Sequence, residues 1–241
     1  MVIGVLLAVF VVAIAFIDLS TLPRKDTADD VIYIGGMVSS GTVEYADGSG
    51  KGLLRNPVVK IMQMVWRYCD GGDKAKHAAQ DPPTVTEVND LAYIEDGNLY
   101  HTLDVLYPAD TQPGAKLPVI IDIHGGGWMY AEKGLNHHYC AALADRGYVV
   151  FNINYRLVPD VTVNEQLQDV ARALRWIRDH GSQYPCDMQN IMLTGDSAGG
   201  QLAAYSAVLM QSAQLRKTFD TVDPQMRSEE RRVGKECRSR W

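Results

Sequence analysis

Asn190-Ile191-Met192-Leu193-Thr194-Gly195-Asp196-Ser197-Ala198-Gly199-Gly200 is the stretch that decides the reading of this chain. Its first five residues are short, apolar and partly β-branched, as in a buried strand, and Ala198 to Gln211 has helical composition. Between them lies G-x-S-x-G, and a strand before it with a helix after it is the context in which that pattern has a mechanism. The glycines at 195 and 199 leave room for a strained turn and for close strand–helix packing. Ser197 is expected at the tip of the turn, at the carboxyl edge of a sheet, with its hydroxyl exposed. A chance serine in a Gly-rich connection is the competing reading, and the motif alone leaves it open.

A second motif upstream narrows the choice. His124-Gly125-Gly126-Gly127-Trp128 ends another strand-like run, Val119-Ile120-Ile121-Asp122-Ile123. Three consecutive glycines free the backbone to aim N–H groups into a cavity. A tetrahedral intermediate of acyl transfer needs such donors where its negative oxygen develops.

These residues, together with Asn154-Tyr155-Arg156-Leu157-Val158-Pro159-Asp160, resemble the α/β-hydrolase superfamily, in the esterase and lipase branch related to hormone-sensitive lipase. The resemblance covers about Leu99 to Gln211. Val158 and Asp160 depart conservatively from the Ala and Glu usual in that branch. The resemblance implies Ser197 as nucleophile and the N–H groups of Gly125, Gly126 and Ala198 as the oxyanion hole. It also implies ester hydrolysis through an acyl-enzyme on a small-molecule substrate, with no metal or organic cofactor. An amidase, formamidase or peptidase would use the same parts, and a non-catalytic binding protein would keep only the fold.

In this fold the triad partners follow Ser197 in the order Asp or Glu, then His. All six histidines (His77, His101, His124, His137, His138 and His180) precede it, and Asp220 and Asp223 come too soon after the helix. The triad acid and histidine are therefore read as absent from this chain, which is expected to be a fragment. Completing the sheet would take further strand–helix units of roughly 30 residues each. Arg227 to Trp241 has no apolar periodicity, and its back-translation resembles a sequencing adapter, so it reads as an artefactual tail. The alternative is a basic disordered tail that binds something acidic.

The tail holds six of the 23 Lys+Arg and three of the 29 Asp+Glu, so the rest is more acidic than the overall net charge of −6. Such a chain is a poor candidate for nucleic-acid binding. Cys69, Cys140 and Cys186 fit no metal spacing and read as buried free thiols, with one disulfide open to an exported protein.

Met1 to Ile17 is continuously apolar, at the short end of what spans a bilayer. It is read as a membrane anchor, with a cleaved export signal or a buried helix as alternatives and the side of the membrane open. Residues 18–84 form a linker and candidate cap segment. Within it Pro57 to Tyr68 is expected to be helical, with Val58, Ile61, Met62, Val65 and Trp66 on one face. Asp81-Pro82-Pro83 leads into a partial hydrolase domain over 85–226. There, Leu91–Ile94 and Leu99–Tyr107 flank the turn Glu95-Asp96-Gly97-Asn98 as a hairpin. Val119–Ile123 and Val149–Tyr155 read as buried parallel strands, and Asn136–Arg146 and Glu165–His180 as helices. The expected architecture is a doubly wound, mostly parallel α/β sheet with an antiparallel N-terminal hairpin, incomplete at the C-terminus, behind an N-terminal hydrophobic helix.

Overall fold

The computed structural model describes residues 33–34, 37–38, 59, 61–68, 84–158 and 160–226. The expected anchor 1–17, the linker Asp81-Pro82-Pro83, His77, Cys69 and the tail 227–241 lie outside them. Among the described residues no helix is long and apolar enough to cross a membrane.

Strands β1 (Tyr33–Ile34) and β2 (Met37–Val38) form a two-residue antiparallel pair. The main sheet contains β3 (Val85–Ala92), β4 (Thr102–Pro108), β5 (Leu117–Ile123), β6 (Val149–Ile153) and β7 (Cys186–Gly195), ordered β3-β4-β6-β5-β7. β5 pairs in parallel with β6 and β7, while β4 is antiparallel to both β3 and β6. The mostly parallel sheet with its antiparallel hairpin is thus present, β4 alone running against the other strands.

Helices cover both faces. Successive strand residues point to opposite sides, so Val119, Ile121, Ile123, Val149, Phe151 and Ile153 share one core. That core receives Leu167, Val170, Leu174 and Ile177 of α2 (Val163–His180) and Leu202 of α3 (Ser197–Gln211). On the other face Leu106, Ile120 and Val150 pack against Cys140, Ala141 and Ala144 of α1 (His137–Ala144). Burial on both sides explains why β5 and β6 are apolar apart from Asp122 and Asn152. A short α4 (Ala213–Thr218) follows α3. Cys140 and Cys186 are free and buried, and burial pushes the Cys186 thiol up to about 12.

Several expectations need correction. β3 starts at Val85 rather than Leu91, and its register shifts between Val88 and Leu91, where Asp90 has a φ of +58°. An edge strand interrupted by a bulge carries Glu87, Asn89 and Asp90 in place of an apolar run, which hides it from a pattern search. Leu99 begins a 3-10 turn, not a strand, and is exposed. In the helical segment 61–68, Met62 is buried but Ile61 is 51 % exposed, so the apolar face is narrower than its composition suggested.

α2 starts at Val163, two residues before the expected position. The Thr162 side chain accepts from the Glu165 N–H, and the Glu165 carboxylate accepts from the Thr162 N–H at 2.8 Å. This reciprocal cap satisfies amides that the first turn would leave bare. Asp169, fully buried on α2, is held by Arg156 of the Asn-Tyr-Arg stretch: Nε donates to Oδ2 at 2.8 Å and a terminal NH2 to Oδ1 at 2.7 Å. Arg156→Ala leaves that carboxylate with the backbone N–H of position 156 at 3.2 Å, His101 at 3.4 Å and Arg172 at 3.8 Å, and no bidentate guanidinium. The variant is expected to lose about 3 kcal/mol of stability. Urea unfolding reads this as a lower midpoint at unchanged slope; an unchanged midpoint would show that the pair adds nothing.

Candidate active site

β7 ends at Gly195 and α3 begins at Ser197, with Asp196 as the capping residue between them. The Asp196 carbonyl accepts from the N–H groups of Gly199 at 2.8 Å and Gly200 at 3.2 Å, closing the turn. Ser197 has a φ of +48°, the left-handed region that a non-glycine residue rarely occupies. Ser197 is exposed. The flanking glycines are required by contact rather than by dihedral freedom. A Cβ on Gly195 would lie 2.5 Å from the Ile123 carbonyl oxygen, and one on Gly199 would overlap that same oxygen. Their absence lets the first turn of α3 rest directly on the end of β5.

The glycine loop leaves β5 at that same point. Gly126 and Gly127 have φ values of +114° and +58°, and a Cβ on Gly126 would overlap the Tyr130 carbonyl. Met129 and Tyr130 N–H groups donate to the Gly126 carbonyl at 3.3 and 3.0 Å, curling the loop into a tight turn. Gly125 departs from its expected role. Its N–H donates to Asp196 Oδ1 at 2.8 Å, so it ties the loop to the elbow and is not directed at a ligand. Among the described residues, no acceptor takes the N–H of Gly126, Gly127 or Ala198. Ala198 is buried at the N-terminus of α3, where the partial positive charge of the helix lies.

His124 is engaged beside the loop by stacking and hydrogen bonding. Its ring stacks on Tyr155 with centroids 4.4 Å apart, and its Nδ1 bonds the Gly125 carbonyl at 2.8 Å. The Tyr155 hydroxyl donates to the His124 carbonyl at 2.7 Å. Gln166 of α2 donates to the Trp128 carbonyl at 2.7 Å, bracing the loop from below. From the N-terminal side, Gln63 donates to the Met129 carbonyl at 2.8 Å, and Val59 and Met62 pack on Met129 and Val158. Trp66 lies 5.5 Å from the Tyr130 ring. The candidate cap helix thus sits on the glycine loop.

The other described histidines are engaged elsewhere. His101 bonds Asp96 at 2.7 Å, His137 meets Glu87 at 3.1 Å, and His180 stacks on Trp176. None bonds Ser197, and among the described residues no side chain takes the place of a general base. Sequence reasoning missed two participants, Asn136 and Asp122. Asn136 donates from Nδ2 to Asp122 Oδ2 at 2.8 Å and to Asp196 Oδ1 at 3.0 Å. Asp122 is fully buried, and burial pushes its carboxyl up to about 6. A single aspartate inside an otherwise apolar strand was the one signal available.

The BD-FAE family profile matches residues 103–235. The probable carboxylic ester hydrolase LipM of Mycobacterium tuberculosis is 31% identical over 172 residues, which are 68% of this chain and 39% of that protein. Neutral cholesterol ester hydrolase 1 of Pongo abelii is 40% identical over 90 residues, 35% of this chain and 22% of its own. Among solved structures, esterase B from Lactobacillus rhamnosis has a TM-score of 0.65 at 35% identity, over 73% of this chain and 55% of that one. The chain therefore spans about half or less of the length of these relatives.

The contact between α3 and β5 makes a specific demand on Gly199. Gly199→Ala is expected to cost about 3 kcal/mol or to prevent folding, because backbone stands where the methyl must go. Gly97, with a φ of +76° but open space around it, should cost only about 1 kcal/mol on the same change. Thermal unfolding of the two variants side by side checks the ranking; equal losses would contradict it.

Proposed function

The chain belongs to the BD-FAE family of α/β-hydrolase esterases, and from that premise we propose that it is the nucleophile-bearing part of a serine carboxylic-ester hydrolase. The observation that carries the reading is Ser197 held left-handed on the strand–helix turn, beside a glycine loop tethered to the same turn. A hydroxyl fixed there need not reorganise before it attacks.

In this reading Ser197 Oγ attacks the ester carbonyl, and its proton passes to a histidine held by a carboxylate, neither of which the described residues supply. The oxygen of the tetrahedral intermediate becomes negative where the N–H groups of Gly126, Gly127 and Ala198 stand without other acceptors. Each such donor is worth about 100- to 1,000-fold in rate. The alcohol leaves with the proton from the histidine, and water then hydrolyses the acyl-enzyme by the same route in reverse. The donor set replaces Gly125 of the sequence reading with Gly127, because the Gly125 N–H is already committed to Asp196. Attachment or export through residues 1–17 rests on sequence alone; loss of membrane association on deleting them is its test.

The full-length protein is expected to hydrolyse short-chain p-nitrophenyl esters and to be labelled by a fluorophosphonate probe. Ser197→Ala should abolish labelling and lower kcat by about 10,000-fold or more, as removing a triad member does. Turnover that survives in Ser197→Ala would end the assignment.

A further inference from the structure

The hydrogen bond that holds the glycine loop to the elbow ends on the Asp196 carboxylate, and that carboxylate is itself held from outside both motifs. We propose that Asn136 is a positioning residue of this site, its amide bridging the buried Asp122 and the elbow Asp196 and so setting where the glycine loop presents its donors. This inference rests on the ester-hydrolase reading above.

The geometry leaves the amide one way to act. Asp122 Oδ2 and Asp196 Oδ1 are both acceptors, 2.8 and 3.0 Å from the same nitrogen, so the Asn136 side chain must present its NH2 end, with its two hydrogens, to both carboxylates. The backbone of Asn136 is pinned on both sides: its N–H donates to the Lys133 carbonyl at 3.2 Å, and its carbonyl accepts from the Cys140 N–H at 2.9 Å. The side chain therefore projects from a fixed point at the start of α1. Asp122 is fixed as well, on β5, where it lies in register with Asn152 of β6, itself opposite Asp104 of β4.

This polar row runs across the α1 face of the sheet, and the segment 133–136 serves it end to end. Lys133 Nζ reaches Asp104 at 2.5 Å and Asp90 at 2.7 Å, while its carbonyl accepts from Asn152 Nδ2 at 2.8 Å. That cation is committed there. The groups facing Asp122 are Asn136, the Cys140 thiol, Asp196 and Tyr155, with no positive charge among them. The amide is what keeps two nearby carboxylates compatible.

Displacement of Asp196 would be passed on sterically as well as through hydrogen bonds. Gly125 packs so closely on Asp196 that a Cβ there would overlap its carboxylate. Gly126 is the next residue, so a shift of Asp196 moves the loop that carries the donors.

The test uses the full-length protein with Asn136→Ala and Asn136→Asp, measuring kcat and KM on p-nitrophenyl butyrate from pH 5.5 to 8, with melting temperatures at each pH. Asn136→Ala is expected to lower kcat by about 10- to 100-fold with KM within about threefold, since donor alignment matters most in the transition state. Asn136→Asp puts a third carboxylate in the cluster. Its kcat relative to wild type should be lowest at pH 8 and recover by about tenfold at pH 5.5, where the cluster takes up a proton and can donate again. A merely structural residue would not give a loss that acid reverses in folded protein.

Values of kcat within threefold of wild type at every pH, or an equal loss at pH 8 and 5.5, would overturn the assignment. So would unfolding of both variants, because that makes Asn136 a stability residue. Ser197→Ala in the same assay separates the two readings. If it is inactive while the Asn136 variants match wild type, only this inference falls; if it remains active, the ester-hydrolase reading falls and this one with it.

Discussion

The end of β5 and the first turn of α3 meet so closely that neither Gly195 nor Gly199 has room for a Cβ beside the Ile123 carbonyl. Everything at the site depends on this approach. It brings the glycine loop, which leaves β5 one residue later, within 2.8 Å of Asp196. It also supports the left-handed backbone of Ser197, whose strain of about 1–3 kcal/mol persists only because the surroundings over-determine it. A sheet with parallel β5 and β7 as neighbours is what carries both strand ends to one edge.

Three buried acids are accommodated in three ways. Asp169 has a bidentate guanidinium from Arg156, which pairs most of its lone-pair directions and anchors the chain after β6 to α2. Asp104 has the ammonium of Lys133, which also crosses to Asp90 at the bulge of β3. Asp122 has no cation but an amide, and it is the acid whose carboxyl burial has pushed to about 6. A cation beside Asp122 would compete for Asp196, the group that holds Gly125. A neutral donor keeps the charge at the elbow unspent, consistent with an arrangement that must hold a backbone loop rather than close an ion pair.

Much of the architecture was legible because burial leaves a trace in composition. β5, β6 and β7 announced themselves as short apolar runs, and α2 by apolar residues at helical spacing closed at Gly181. β3 did not, since an edge strand with one solvated side and a bulge at Asp90 carries no such pattern. The helical segment near residue 62 was placed correctly along the chain, but its exposed Ile61 could not be told from its buried Met62. Hydrophobicity names candidates for a face, and only the opposing surface, here Met129 and Val158, selects among them.

By itself the sequence determined the strand–turn–helix elements and placed Ser197 on the turn, because G-x-S-x-G after a strand demands glycines at fixed places around one serine. It also placed the glycine loop at the end of another strand. Which N–H groups of that loop are left without an acceptor was decided only by tertiary structure. The carboxylate that takes the Gly125 N–H is 71 residues away in the chain. The amide that steadies this carboxylate is 60 residues from it. Local spacing encodes turns and periodicity, whereas a hydrogen bond between distant segments depends on strand register and helix placement. No run of neighbouring residues carries those.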